Sequence, residues 1–202
     1  MAVTDWNPLL RGEFDETYWR DLQAFVAAER SAHAVYPPAD QVFAALHLTP
    51  YADTRVLILG SFPGEASLVA RQYYAHPRNH FWPILGAVLG EPLAEIPYAD
   101  RLSRIRARGV GIWDTIVACE RAGSLDAAIR SAERGGIQQV RRIARELRAV
   151  CFNGNTAGRA REAWAAAGYD TLVLPSTSPA YTRPFAEKLA AWRELRRFLE
   201  ER

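Results

Sequence analysis

VLILGSFPG, residues 56–64, is four apolar residues running straight into a turn that holds two glycines and a proline. A short apolar run bounded by turn residues reads as a buried strand. A strand that ends this way delivers a loop to the edge of a sheet. Working outward, similar runs occur at Val110–Trp113, Ala149–Phe152 and Thr171–Leu174. Helical segments separate them. FWPILGAVLG carries Pro83 in its first turn and Gly90 beyond its end. Residues 98–108 and Ile137–Leu147 also read as helices. NGNTAGRAREAWAAAG opens a helix from a turn, and FAEKLAAWRELRRFLEE forms the last one. Strands alternating with helices predict an α/β fold: three layers, α/β/α, around a four-stranded parallel sheet.

Ahead of this core lies a different segment. DETYWRDLQAFVAAERSAH, residues 15–33, has a helical rhythm, with Asp15 as cap and Trp19, Leu22, Phe25 and Val26 on one face. Two prolines in VYPPADQVF break the chain before a short helix at Gln41–Leu46. The chain thus reads as one domain over residues 1–202, with a helical arm at 1–50 and the α/β core at 55–202.

Composition narrows the function classes. No apolar run approaches the ~18 residues of a membrane span. The N-terminus has no basic start and no apolar signal core, so the cytoplasm is the expected compartment. Cys119 and Cys151 stand alone, with no CxxC pair or Cys/His cluster for a metal. Net charge is only +2, but Arg101, Arg104, Arg106 and Arg108 cluster, as do Arg141, Arg142, Arg145 and Arg148. Such clusters serve either as solvated helix faces or as phosphate contacts.

In a parallel sheet, ligands bind outside the carboxyl ends of the strands. The four loops there are GSFPGEAS, WDTIVACERAGS, NGNTAG and PSTSPAYTRP. FNGNTAGR offers backbone N–H groups near Gly154, Asn155 and Thr156 to a phosphate, or is a tight turn capped by Asn155. Its spacing is not that of a Walker loop, and residues 60–64 lack the GxGxxG of a dinucleotide fold. QYYAHPRNHFW, residues 72–82, gathers aromatic, basic and amide groups, a combination suited to an unstacked base. Asn79 there either caps the following helix or faces a ligand. Asp114 ends an apolar strand, where a carboxylate costs energy unless paired or exposed; it is either a cap or an acceptor on a pocket wall.

GSFPGEASLVARQYYAHPRNHFWPIL, GIWDTIVACERAGSLDAAI, CFNGNTAGR and LPSTSPA, in this order, resemble the motifs of the uracil-DNA glycosylase superfamily. Residues 55–197 are most similar to its family 6, the hypoxanthine (deoxyinosine) type. The segment from WNPLLRGEF to VLILG is similar to the N-terminal region of family 1 uracil-DNA glycosylases. The chain therefore reads as a family 1 lead-in joined at the first strand to a family 6 body, either a natural mosaic or an engineered chimera. Family 1 has a water-activating Asp-Pro-Tyr-His loop where this chain has Phe62-Pro63-Gly64-Glu65. It has His-Pro-Ser-Pro-Leu where this chain has Leu174 to Ser178. Its catalytic Asp and His, and its leucine wedge, are thus missing.

The resemblance implies a monofunctional, cofactor-free enzyme that acts as a monomer in base excision repair. It would hydrolyse the N-glycosidic bond of a deaminated base in DNA after the base leaves the stack. Asn79 is nominated to orient water. Asp114 would read the base, with Ser61 and Phe62 lining the pocket and Tyr74 stacking on the base. Gly154, Asn155 and Arg183 would hold DNA phosphates. Ser176, Thr177 and Ser178 would press on the groove, and Tyr181 would fill the gap left by the extruded base. Hypoxanthine is the expected substrate. Uracil is the alternative, and a catalytically silent lesion-binding module or a small-molecule α/β enzyme are readings from other classes.

Overall fold

The computed structural model describes residues 34–35, 50–121, 124–134 and 136–199. The helices expected at 15–33 and 41–46 lie outside them. The central sheet contains β2 (Val56–Gly60), β3 (Val110–Asp114), β6 (Ala149–Asn153) and β7 (Asp170–Leu174). All pairs are parallel and the spatial order is β3-β2-β6-β7. These are the four strands expected from the apolar runs.

The two-residue period of a strand explains the layering. Val56 and Ile58 of β2 point into one core, with Ile112, Cys151, Phe81, Ile84, Leu85 and Trp192. Leu57 and Leu59 point into the other, with Val150, Phe152, Trp113, Val140 and Trp164. Every residue of β2 is buried, so both faces are covered. On the first face lie α2 (Phe81–Leu89), α3 (Tyr98–Ala107) and α7 (Phe185–Trp192), together with α1 (Glu65–Ala70). On the second lie α4 (Ile137–Ile143), α5 (Asn155–Gly158) and α6 (Arg161–Ala166).

Four expectations need correction. WDTIVACERAGS is not a loop. After β3 the chain enters β4 (Ile116–Arg121), turns through a 3₁₀ segment at Asp126–Ala128, and returns as β5 (Arg130–Arg134). With β1 (Ala34–Val35) these strands form an antiparallel three-stranded sheet. The helix expected over 137–147 stops at Ile143, because Ala144 leaves helical dihedrals at ψ 81°. The helix expected after NGNTAG is two short ones, and the final helix tightens to a 3₁₀ turn at Arg193–Phe198.

The first arginine cluster is consumed by the fold. Glu91 accepts from Arg104 at 2.8 Å and from Arg108 at 2.6 Å. Arg101 donates to the Ile96 carbonyl, and Arg106 stacks 3.7 Å from the centre of the Tyr51 ring. No helix among the described residues is long and apolar enough to cross a membrane.

Candidate active site

The register aligns the strand ends. Gly60 pairs with Asp114, and Asn153 pairs with Leu174. From β2 the chain first builds outward to β3 and then returns to the other side of β2 with β6. This reversal opens a crevice at the carboxyl ends of β2 and β6. A cavity of about 380 Å³ occupies it, near the low end of the size range for small-molecule sites. Ser61, Phe62, Tyr73, Tyr74, Asn79 and Asp114 line it, with Ser176, Thr177, Ser178 and Tyr181 across the rim.

Asp114 forms the buried floor. It is 4% exposed, and its Oδ2 has no hydrogen-bond partner among the described residues. Burial, with the Asp126 charge nearby, pushes its carboxyl up to about 7. The nearby Tyr73 hydroxyl and the positive charge of Arg121 pull the other way. Gly60 is what lets the carboxylate stand there: a Cβ at residue 60 would lie 2.3 Å from Asp114 Oδ1 and 3.1 Å from the Tyr74 hydroxyl. An unsatisfied buried oxygen costs stability unless something else occupies the site.

Asn79 reaches the same cavity from the loop before α2. Its Oδ1 accepts the Phe81 N–H at 3.0 Å, so it caps the helix as well as lining the pocket. Among the described residues, one lone pair of that oxygen and both amide protons remain available. Phe62 is 5% exposed and packs in the core, so the loop after β2 offers its backbone and Ser61 to the cavity. Tyr74 adopts left-handed dihedrals (φ 56°), and its ring stacks on Phe81 at 3.7 Å. One ring face is therefore already covered, which restricts the stacking role expected for it.

Asn153 ties the far rim together. Its Oδ1 accepts the Thr177 N–H and its Nδ2 donates to Thr177 Oγ1, both at 2.9 Å. The Thr177 carbonyl in turn accepts the His80 N–H at 3.0 Å. Ser176 and Ser178 hydroxyls accept the N–H groups of Ser178 and Ala180, shaping the loop locally. Tyr181 stays 39% exposed, while its carbonyl accepts from the buried Lys188 ammonium at 2.6 Å.

The phosphate assignments fare differently. Gly154 N–H donates to the Leu174 carbonyl at 2.9 Å, so it is not offered to a phosphate. Its glycine identity answers to φ 96° and to Ser176, whose Cβ would lie 2.9 Å from an added Cβ. Asn155 is exposed at the start of α5, and Arg183 is exposed but 3.5 Å from Glu187. None of these three lines the cavity.

The opposite wall is latched to the β4–β5 hairpin. Ser61 Oγ donates to Asp126 Oδ1 at 2.7 Å, and Glu65 N–H donates to Ser124 Oγ at 2.9 Å. Arg121 donates from Nη2 to the Pro63 carbonyl at 2.6 Å.

The model of the uracil DNA glycosylase superfamily matches residues 46–196, three quarters of the chain. The chain belongs to that superfamily. Its similarity to a hypoxanthine DNA glycosylase of Methanosarcina barkeri is 37% identity over 142 residues, 70% of this chain and 90% of that protein. A uracil-DNA glycosylase of Bacillus cytotoxicus is 46% identical over 123 residues, 55% of its own length. A solution structure titled a putative uracil DNA glycosylase, from Methanosarcina acetivorans, superposes with a TM-score of 0.64 at 36% identity. It covers 72% of this chain and 92% of that one.

The superfamily, the α/β fold and the DNA glycosylase class expected from the motifs are thereby borne out. Within this glycosylase, the cavity gathers Ser61, Phe62, Tyr74, Asn79 and Asp114, with Ser176, Thr177, Ser178 and Tyr181 at its edge. Sequence reasoning passed over Asn153, Ser124, Asp126 and Arg121, and left Tyr73 as either a core or a stacking residue; it is buried in the core and lines the cavity. Asn153 carries the same signal as Asp114, a polar residue directly after an apolar strand. Arg121 carries none, because nothing in its neighbourhood announces that the hairpin folds over the site.

Proposed function

We propose that this glycosylase hydrolyses the N-glycosidic bond of hypoxanthine in DNA. The observation that carries the reading is the buried Asp114 carboxylate, its Oδ2 unsatisfied, in the same cavity as Asn79. An ionised carboxylate only accepts hydrogen bonds. Hypoxanthine presents a ring N–H beside a carbonyl, whereas adenine presents a bare ring nitrogen. Asp114 would therefore select the deaminated base and reject its parent. Losing such a buried match costs ~1–3 kcal/mol.

Asn79 supplies no strong base. Fixed by its bond to the Phe81 N–H, it would orient water against the sugar as positive charge develops there. The base would enter the cavity only after leaving the duplex. Because uracil presents the same N–H and carbonyl pair, the similarity to Bacillus uracil-DNA glycosylases keeps uracil excision as the second reading.

Excision from hypoxanthine- and uracil-containing duplexes, measured side by side, tests the proposal. Faster release of hypoxanthine is the expected result, and release of uracil alone overturns it. With Asp114→Asn, whose amide also offers a donor, discrimination of hypoxanthine against adenine should fall about tenfold, consistent with ~1–3 kcal/mol.

A further inference from the structure

Tyr74 belongs to the loop between α1 and α2, and its ring lies nearly parallel to Phe81, with the ring centres 3.7 Å apart. Its backbone stands at φ 56°, a left-handed conformation that a bulky side chain rarely adopts and that the surrounding structure must enforce. The residue lines the cavity and is only partly buried, yet its hydroxyl oxygen is sealed from solvent. That oxygen makes no hydrogen bond among the described residues; the Asn153 amide faces it without bonding to it. A buried hydroxyl without a partner costs stability, so it points to an occupant of the cavity that bonds it.

The neighbourhood of the hydroxyl says what that occupant looks like. The point where a side chain at Gly60 would begin has Asp114 Oδ1 as its nearest neighbour and the Tyr74 hydroxyl next, at 3.1 Å. A carboxylate and a phenol therefore flank one spot at the end of β2. Burial, with the Asp114 charge nearby, holds the phenol protonated far above its ordinary range, so at neutral pH it has a proton to donate.

We infer that the Tyr74 hydroxyl is a second base-reading group: it donates to the carbonyl oxygen beside the ring N–H that Asp114 accepts. The inference rests on the base-reading role given to Asp114 above. Together the two groups match a ring edge with N–H and C=O side by side, the edge that deamination creates by replacing an amino group with a carbonyl. A carboxylate alone fixes one atom of the base and leaves it free to pivot. A donor next to it fixes the whole edge, which is what alignment of the glycosidic bond with water requires.

Tyr74→Phe removes one oxygen and keeps the ring on Phe81. Its urea midpoint should equal or exceed that of wild type, because the unpaired buried hydroxyl is gone. Single-turnover excision of hypoxanthine should fall about tenfold, the size of one hydrogen bond. The deciding measurement exchanges the carbonyl oxygen of the base for sulfur, a weaker acceptor, in 6-thiohypoxanthine, which keeps the ring N–H. The ratio of hypoxanthine to 6-thiohypoxanthine excision should be about tenfold larger in wild type than in Tyr74→Phe. Effects of sulfur on the lability of the glycosidic bond are common to both enzymes and cancel. Equal ratios overturn the inference, as does undiminished excision of hypoxanthine by Tyr74→Phe. A lower urea midpoint overturns it too, since the hydroxyl would then be holding the fold. Wild-type enzyme that frees uracil alone overturns the hypoxanthine reading instead, and the same comparison of uracil with 4-thiouracil then decides on Tyr74.

Discussion

Asn79 holds the start of α2 and, in the proposed mechanism, orients water; substitutions separate the two roles. Removing its side chain costs the Phe81 N–H its acceptor, about 1 kcal/mol for a lost cap. Asn79→Ala should therefore lower both the urea midpoint and excision. Asn79→Ser keeps an oxygen within reach of the helix N-terminus but withdraws the amide from the cavity. Stability should return close to wild type while excision stays reduced at least tenfold; recovery of both would reduce Asn79 to a cap. Asp114 makes a separate, pH-dependent prediction. Its carboxyl titrates near 7 in the folded protein, against an ordinary 3.8. The folded state thus binds this proton more tightly than the unfolded chain, so stability falls as pH rises from about 4 to 7. Above 7 both states are ionised and the loss levels off. Asp114→Asn should remove this slope, and its advantage over wild type should grow to at most about 4 kcal/mol at pH 8. Urea melts of the two proteins at pH 4.5 and 8 measure it.

At the scale of elements, the site is a set of loops tethered by side chains. Each tether uses a short polar group: Ser61 to Asp126, Ser124 to Glu65, and Asn153 to Thr177. Asn153→Ala removes two hydrogen bonds to the same residue and leaves the buried Thr177 N–H without its partner. A loss of about 1–3 kcal/mol is expected, seen as a lower thermal midpoint. Gly60→Ala should be worse than a helix or strand propensity would suggest. The new methyl would meet the Asp114 carboxylate, so excision should drop together with stability, and both assays on one preparation check it. These contacts also explain what could be read in advance. Strands β2, β3, β6 and β7 announce themselves as apolar runs with turns behind them, and helix α2 announces itself by Pro83 and Gly90. The β4–β5 hairpin does not. The β-branched stretch Thr115-Ile116-Val117 is soon followed by Glu120 and Arg121, β5 (RSAER) carries a single apolar residue, and the intervening Gly and Ser residues sit where a loop would carry them. Its strandedness comes from pairing with β1 and from docking on the loop after β2, which are tertiary facts.

Over the whole molecule, charge is spent unevenly. Arg101, Arg104, Arg106 and Arg108 answer to internal partners, whereas Arg141, Arg142 and Arg145 stand exposed around α4. The two clusters look alike in sequence, and only packing distinguishes the clamp on Glu91 from a solvated face. DNA binding by a glycosylase of net charge +2 should still weaken with salt, because each phosphate contact releases counterions. A plot of log affinity against log salt, for a duplex carrying the lesion, should slope by about −0.9 per contact. Arg101→Gln should leave that slope unchanged, since its guanidinium is occupied by the Ile96 carbonyl.

The chain of bonds from Asn153 through Thr177 to His80 has a mechanical meaning. It yokes the rim that would touch a duplex to the start of α2, one residue from Asn79. Pressure on the rim would then be passed along these bonds toward the amide proposed to orient water. The enzyme would thus sense whether its footprint is fully occupied before it commits to breaking a bond.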